Sequence, residues 1–221
     1  STIYDATCPL VTKVHKEVTR RQKQNHQVIL IGHAGHPEVE GTLGQSNDIK
    51  NITLVESISD VETLDFPTGT DISYTTQTTL SVDDTKEIVE SLQSKFSQIQ
   101  SPKKSDICYA TQNRQDSVKA IINNSDMLLV LGSKNSSNSN RLREIAEKNK
   151  KPAYLIDGAN DINPAWLKGI NSIGITAGAS APEILVQEVV SYLLDNGANE
   201  VVEVSGANES VHFPVPNTLR V

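Results

Sequence analysis

Two cysteines in this 221-residue chain, Cys8 and Cys108, each stand just before a predicted helix. The N-terminus of a helix favours the thiolate form of a cysteine, which is the form that binds iron–sulfur clusters and zinc. The two cysteines are too far apart in sequence for a local disulfide framework. Because a cluster takes more than two thiolates, half-buried structural cysteines remain an alternative interpretation.

A second group of reactive residues lies in the segment 32–41, which follows an apolar run and opens a predicted helix. Such a strand-to-helix junction is where α/β proteins usually bind ligands. His36 could donate a hydrogen bond to a phosphate oxygen, and Glu38 could hold and deliver a proton in a partly dry site. His33 and His36 could instead cap the helix or bind zinc as a pair.

Neutral hydrogen-bond donors crowd the matching turn in the second half of the chain, at Ser136, Ser137 and Asn138. A helix start of this kind binds anions, and an N-cap alone needs only one of the three residues. Thr78 and Ser180 follow two further predicted strands, and Ser180 has capping-box spacing to Glu183. Each of these residues could be only a cap. Together the turns indicate a pocket for a small polyanion such as a diphosphate.

The elements that must position these residues alternate between helix and strand. Val11, Val14 and Val18 share one face of a helix predicted over residues 11–25. Strands are predicted over 28–31, 52–55 and 72–76, and a short helix over 59–64. A longer helix is predicted to start after Ser81, with Ile88, Val89, Leu92 and Phe96 on its inner face. Alternation of this kind predicts parallel sheets.

The second half of the chain repeats the first at an offset of about 100 residues. Cys8 precedes Gly32 by 24 positions and Cys108 precedes Gly132 by 24 positions, each across an apolar run. The same comparison aligns residues 76–81 with 176–181. We therefore predict an α/β fold of two similar lobes, each a small parallel sheet flanked by helices. The predicted domains are 1–104, 105–196 and a tail, 197–221, that ends in a proline-punctuated edge strand.

Composition argues against several classes of function. A net charge of -7 and a pI near 5.2 argue against binding to the nucleic-acid backbone. The sequence shows neither an apolar run of membrane-spanning length nor a secretory signal, so the cytoplasm is the expected compartment.

Six segments in order closely resemble the 4-hydroxy-3-methylbut-2-enyl diphosphate reductases, namely residues 5–12, 32–41, 76–81, 107–111, 132–139 and 176–180. The resemblance implies a trefoil of three α/β lobes around a 4Fe-4S cluster, with Cys8 and Cys108 as two of its three cysteine ligands. It also implies reduction of an allylic diphosphate to isopentenyl and dimethylallyl diphosphates, with electrons from a carrier such as flavodoxin or ferredoxin. By the same resemblance Glu38 donates the proton, and the substrate is bound by His36, Thr78, Ser136, Ser137, Asn138 and Ser180.

The family's first lobe, with the third cysteine, has no counterpart in these residues. We therefore expect a cluster in this chain alone to be labile or absent. Two other functions remain open. One is a catalytically silent module that binds a phosphorylated metabolite. The other is a zinc hydrolase that uses His33, His36 and a cysteine.

Overall fold

The first half of the chain forms one three-stranded parallel sheet, in a computed structural model that describes Asp5, residues 7–207 and residues 209–213. The strand order is β2-β1-β3. The strands are β1 (Gln27–Ile31), β2 (Ile52–Val55) and β3 (Ile72–Thr76). The helices are α1 (Pro9–Lys23), α2 (Pro37–Leu43), α3 (Ile58–Thr63) and α4 (Val82–Lys95).

The second half forms a sheet of the same design, in the order β5-β4-β6 and again parallel. Its strands are β4 (Met127–Leu131), β5 (Ala153–Ile156) and β6 (Ile173–Ala177), and its helices are α5 (Tyr109–Ile122), α6 (Ser137–Lys148) and α7 (Glu183–Asp195). Short 3-10 helices lie at Ile49–Asn51, Ala159–Asp161 and Pro164–Leu167. The predicted fold class, two lobes with small parallel sheets flanked by helices, is confirmed.

The central strand of each sheet is buried on both faces. Every residue of β4, and Val28 to Ile31 in β1, is at most 1% exposed. A parallel strand covered by helices on both sides reads as an uninterrupted apolar run, which is why both were recognisable in the sequence. Helix α1 covers its sheet with Val14 and Val18, both fully buried. It ends at Lys23 rather than at residue 25, because Asn25 adopts a left-handed backbone, with φ 61°.

The internal repeat is confirmed, but one of its predicted alignments is wrong by one residue. Ile31 at the end of β1 pairs with Thr76, whereas Leu131 at the end of β4 pairs with Ala177. The offset is therefore 101 residues at the third strand, and Thr79 corresponds to Ser180. The offset rises from 100 to 101 residues between the first and second strands of each sheet. Val28 pairs with Ile52, whereas Leu128, 100 residues further on, pairs with Ala153, 101 residues after Ile52.

The chain divides into two compact units. The first comprises the described residues of Ser1–Thr78, Asp83–Asp106 and Ala207–Val221, and the second comprises Thr79–Val82 and Ile107–Gly206. Residues 198–207 and 209–213 of the tail contain no helix or strand, and the predicted edge strand ends outside the described residues. Within the described part of the chain, the helices are all too short or too polar to span a bilayer.

Candidate active site

Cys8 and Cys108 occupy equivalent positions in their own units. Each is the residue directly before a helix, α1 or α5, with nearly the same backbone conformation (φ -55° and ψ 133° for Cys8, φ -60° and ψ 134° for Cys108). Their carbonyl groups accept the first helical hydrogen bonds, at 3.0 Å from Thr12 N and 3.0 Å from Gln112 N. Both side chains are free thiols, and neither is used to cap its helix.

His36 is the N-cap of α2 in the first unit. Its Nδ1 accepts a hydrogen bond of 3.1 Å from the backbone N–H of Glu38. This confirms the capping interpretation of His36 and fixes the tautomer, because Nδ1 must be unprotonated and Nε2 then carries the donor hydrogen. Burial lowers the pKa of His36, and the neighbouring His33 lowers it further. His36 is thus a neutral donor near pH 7.

Glu38 and Thr78 form the most closely connected pair of the predicted site. The Glu38 carboxylate accepts two hydrogen bonds from Thr78. Thr78 N donates to Oε1 at 2.7 Å, and Thr78 Oγ1 donates to Oε2 at 2.9 Å. Burial raises the pKa of the Glu38 carboxyl, although the two bonds from Thr78 lower it, and the charge of Asp106 raises it again. The net shift is upwards. Glu38 therefore holds its proton to a higher pH than an ordinary glutamate, as a general acid requires.

In the second unit, Ser136 caps α6 and Ser137 is tied to Thr79. Ser136 Oγ accepts from Ser139 N at 3.3 Å and from Ser139 Oγ at 3.0 Å. Thr79 Oγ1 lies 3.1 Å from Ser137 Oγ. The capping interpretation thus holds for Ser136 alone, and the partner of Ser137 lies outside the helix.

Asn138 differs from its two serine neighbours. Its side chain is 6% exposed, and neither amide atom has a hydrogen-bond partner among the described residues. Buried amides are nearly always hydrogen-bonded, because an unpaired one costs about 1–3 kcal/mol. Asn138 therefore carries unused hydrogen-bonding capacity at the start of a helix.

Ser180 lies in an exposed turn after β6, whose first residue beyond the strand is Gly178. The predicted capping box between Ser180 and Glu183 is wrong. Helix α7 begins at Glu183, and its N-cap position is taken by Pro182, which has no side-chain acceptor. Ser180 stands three residues before the helix and leaves its hydroxyl out of the capping geometry.

Residues 1–194 match the family model described as LytB protein. This chain belongs to the LytB family. It is 69% identical over 220 residues to the 4-hydroxy-3-methylbut-2-enyl diphosphate reductase of Ruthia magnifica. The alignment covers 100% of this chain and 71% of that relative. The enzyme of the same name from Pseudomonas aeruginosa PAO1 is 56% identical over 222 residues, which cover 99% of this chain and 70% of that enzyme.

A solved structure of the E-1-hydroxy-2-methyl-but-2-enyl-4-diphosphate reductase from Plasmodium falciparum superimposes on this LytB-family chain with a TM-score of 0.83 and 40% identity. The superposition covers 90% of this chain and 65% of that one. The chain therefore spans about two thirds to seven tenths of the proteins that it resembles. The resemblance derived from six sequence segments is confirmed.

The donor set of this LytB-family chain fits a cluster in one respect. The two cysteines are the only ones in the sequence, and both place a free thiol at the positive end of a helix of at least 14 residues. Among Asp5, 7–207 and 209–213, no three His, Cys, Asp or Glu side chains converge on a point that could hold a metal ion. His33, which the zinc alternative would use, has its Nδ1 3.8 Å from Glu56 Oε1.

Sequence reasoning missed Asp106 and Lys13. Asp106 is 4% exposed, and its carboxylate binds Lys13 Nζ at 3.0 Å and Thr75 Oγ1 at 2.7 Å. In the sequence Asp106 looks like one more polar residue of a linker, and Lys13 looks like a solvated lysine of an amphipathic helix. The only available signal was the position of Asp106, which directly precedes the Ile107–Cys108 pair.

Proposed function

We propose that this chain acts in the reductive dehydroxylation of (E)-4-hydroxy-3-methylbut-2-enyl diphosphate. The allylic C–O bond breaks, a C–H bond forms, and the hydroxyl group leaves as water. The reaction takes up two electrons and two protons per substrate, and it yields isopentenyl or dimethylallyl diphosphate. The electrons would come from a carrier protein of the flavodoxin or ferredoxin class. The chain belongs to the LytB family and is 69% identical to a relative named 4-hydroxy-3-methylbut-2-enyl diphosphate reductase, which supports the reaction class.

The buried position of Glu38 beside Thr78, which raises the pKa of its carboxyl group, is the single observation that best supports this role. A proton donor to a leaving hydroxyl or an allylic carbon must be protonated near neutral pH, and burial raises the pKa of Glu38 in that direction. Thr78 donates to both carboxylate oxygens and so fixes the orientation of the group. His36, neutral and with Nε2 as its donor, would bind an oxygen of the substrate.

Neutral donors would bind the diphosphate in the second unit. Ser136, Ser137 and Asn138 open α6, where backbone N–H groups and the helix dipole favour an anion. Asn138 has both amide atoms unpaired among the described residues, and a polyanion would supply the acceptors that its Nδ2 lacks. Ser180 in the turn after β6 has an exposed hydroxyl for the same ligand. We assign all four to substrate binding.

Cys8 and Cys108 would each supply one thiolate to a 4Fe-4S cluster, with the third from outside these residues. Such a cluster, when bound, would supply the electrons and a Lewis acid for the reaction. The chain's own residues bind the diphosphate, orient Glu38 and deliver the proton.

The test is anaerobic reconstitution of the chain with iron, sulfide and an added small-molecule thiol that takes the place of the third thiolate, with iron counted per chain and electron paramagnetic resonance recorded. Product formation and diphosphate binding, by calorimetry, are then measured on the same samples. We expect Cys8→Ala and Cys108→Ala to lose the iron signal, and Glu38→Gln to keep iron and binding but to lose turnover by at least about 100-fold.

Asn138→Leu separates binding from folding. Because it removes an unpaired buried amide, we expect its free energy of unfolding to stay the same or to rise by about 1 kcal/mol, while diphosphate binding is lost. Binding of the diphosphate without iron or turnover would contradict the proposed reaction and favour the silent binding module. Full turnover in Glu38→Gln would remove the proposed proton donor.

A further inference from the structure

A buried carboxylate with no part in the proposed reaction lies close to the Glu38–Thr78 pair. The side chain of Asp106 is fully buried. Its Oδ2 accepts hydrogen bonds from Thr75 Oγ1 at 2.7 Å and from Thr76 N at 3.1 Å. Its Oδ1 lies 3.0 Å from Lys13 Nζ. Burial of a charged carboxylate is costly unless it is paired and hydrogen-bonded, and here both conditions are met.

Lys13 connects three separate parts of the first unit. It lies on α1, and its Nζ donates to the carbonyl oxygens of Lys104 and Ser105, each at 3.0 Å, as well as to Asp106. Asp106 in turn binds the last two residues of β3. The ammonium group thus uses all three of its donors to join helix α1, the segment before Ile107 and the end of a strand. A lysine at the edge of an amphipathic helix can leave its ammonium group in solvent and needs no such set of three hydrogen bonds.

The end of β3 is also the segment that positions Thr78. Thr76 is its last strand residue, and Thr78 follows two residues later with both donors on Glu38. A hydrogen bond from Thr76 N to Asp106 fixes the backbone two residues before Thr78. Asp106 also acts on Glu38 through its charge, which raises the pKa of the Glu38 carboxyl in addition to the effect of burial.

We propose that Lys13 is a positioning residue for Glu38: it neutralises Asp106 and, through Asp106, holds the end of β3 so that Thr78 engages the Glu38 carboxyl group. The functional meaning of this arrangement rests on the proposed role of Glu38 as proton donor. The arrangement itself is a property of the first unit and can be tested without turnover.

The other titratable groups around Glu38 set the background for the test. His36 precedes α2 and is kept neutral by burial, and His33 lies in the turn before it. Tyr74 on β3 has its pKa raised by burial and by Asp106, so it stays uncharged near neutrality. Of the charges that act on Glu38, Asp106 is thus the one that Lys13 offsets directly.

Loss of the Lys13 charge has a definite sign. Without its partner, Asp106 repels the Glu38 carboxylate more strongly, and a looser β3 end weakens the Thr78 hydrogen bonds. Since both effects disfavour the charged form, both move the titration of Glu38 to higher pH. Removal of the Asp106 charge as well cancels the first effect.

The experiment is a carbon-13 nuclear magnetic resonance titration of the full chain labelled at glutamate side chains, with the Glu38 signal assigned from its loss in Glu38→Gln. We expect the midpoint of Glu38 to move to higher pH in Lys13→Met and to stay at the wild-type value in Lys13→Arg. In Lys13→Met/Asp106→Asn it should move back towards lower pH. Lys13 is 39% exposed at its side chain, so Lys13→Met should fold.

An unchanged Glu38 midpoint in Lys13→Met, with a lower free energy of unfolding, would reduce Lys13 to a structural residue and overturn the proposal. Because the titration uses no substrate and no cluster, its result does not depend on turnover. A shifted midpoint in a chain that makes no product would leave the positioning role intact and would count only against the proposed reaction.

Discussion

Glu38 is held by opposing influences on its charge. Two hydrogen bonds from Thr78 favour the carboxylate, whereas burial and the Asp106 charge favour the neutral acid, and burial is the largest of the four. A fully exposed glutamate with the same two bonds would be an ordinary anion. At this position burial outweighs the two hydrogen bonds, and the pKa of the carboxyl group is raised.

This balance makes stability depend on pH in a specific direction. The folded chain binds the Glu38 proton more tightly than the unfolded chain, because the pKa of Glu38 is raised on folding. The protonated Glu38 therefore contributes fully to the free energy of unfolding below the ordinary glutamate pKa. This contribution is lost as pH rises through the raised pKa. We expect Glu38→Gln, which cannot ionise, to be more stable than the wild type above that range, with the difference vanishing in acid. Urea unfolding of both proteins across pH measures this, and Glu40→Gln, on an exposed glutamate, is the control. A difference that grows as pH falls would reverse the sign that we assign to Glu38.

At the scale of elements, the sequence was most informative where a strand is buried. The strands Ile52–Val55 and Ile72–Thr76 agree with their predicted bounds, because β-branched and aromatic residues between turn residues mark strands. Helix ends were less predictable. Pro182 rather than Ser180 takes the N-cap position of α7, and Asn25 ends α1 early. Both outcomes depend on backbone conformations that spacing does not show.

Contacts distant in sequence could not be predicted at all. Glu38 and Thr78 were both singled out, but nothing in the sequence shows that they bind each other across 40 residues. Asp106 was missed because its partners come from α1 and β3. These pairs are set by sheet register and by helix packing, which the sequence specifies only through the whole fold.

The junction between β6 and α6 has a steric requirement that one substitution can test. A Cβ atom added at Gly178 would overlap the hydroxyl of Ser139, whereas Ser139 Cβ would remain at 3.5 Å. We expect Gly178→Ala to lower the free energy of unfolding by about 1–3 kcal/mol, since this junction cannot easily expand. Ser139→Ala in the same chain should restore part of the loss, and Gly158→Ala, with open space around it, should change little. Equal losses in Gly178→Ala with and without Ser139→Ala would show that the hydroxyl is not the obstacle.

At the scale of the molecule, the division into units does not follow the order of the chain. The segment Thr79–Val82 follows β3 and includes the first residue of α4. The rest of α4 and all of β3 lie in the first unit, yet this segment belongs to the second. Its backbone is bound by Gln115 of α5, which accepts from Val82 N at 3.0 Å and donates to Leu80 O at 2.7 Å. Leu80 itself is 4% exposed. A residue placed by sequence in the first lobe therefore belongs to the second unit, to which its backbone is hydrogen-bonded.

This assignment gives Leu80 and Leu92 opposite expected effects. Truncation of a buried leucine to alanine costs about 2–5 kcal/mol. Leu80→Ala should therefore reduce the hydrogen-exchange protection of amides in β4, β5 and β6 and leave β1, β2 and β3 protected. Leu92→Ala, on α4 and fully buried in the first unit, should do the reverse. Residue-resolved native-state hydrogen exchange on both variants measures the two patterns side by side. Loss of protection in β1, β2 and β3 alone in Leu80→Ala would mean that Leu80 stabilises the lobe in which its sequence lies, and that the segment Thr79–Val82 merely touches the second unit.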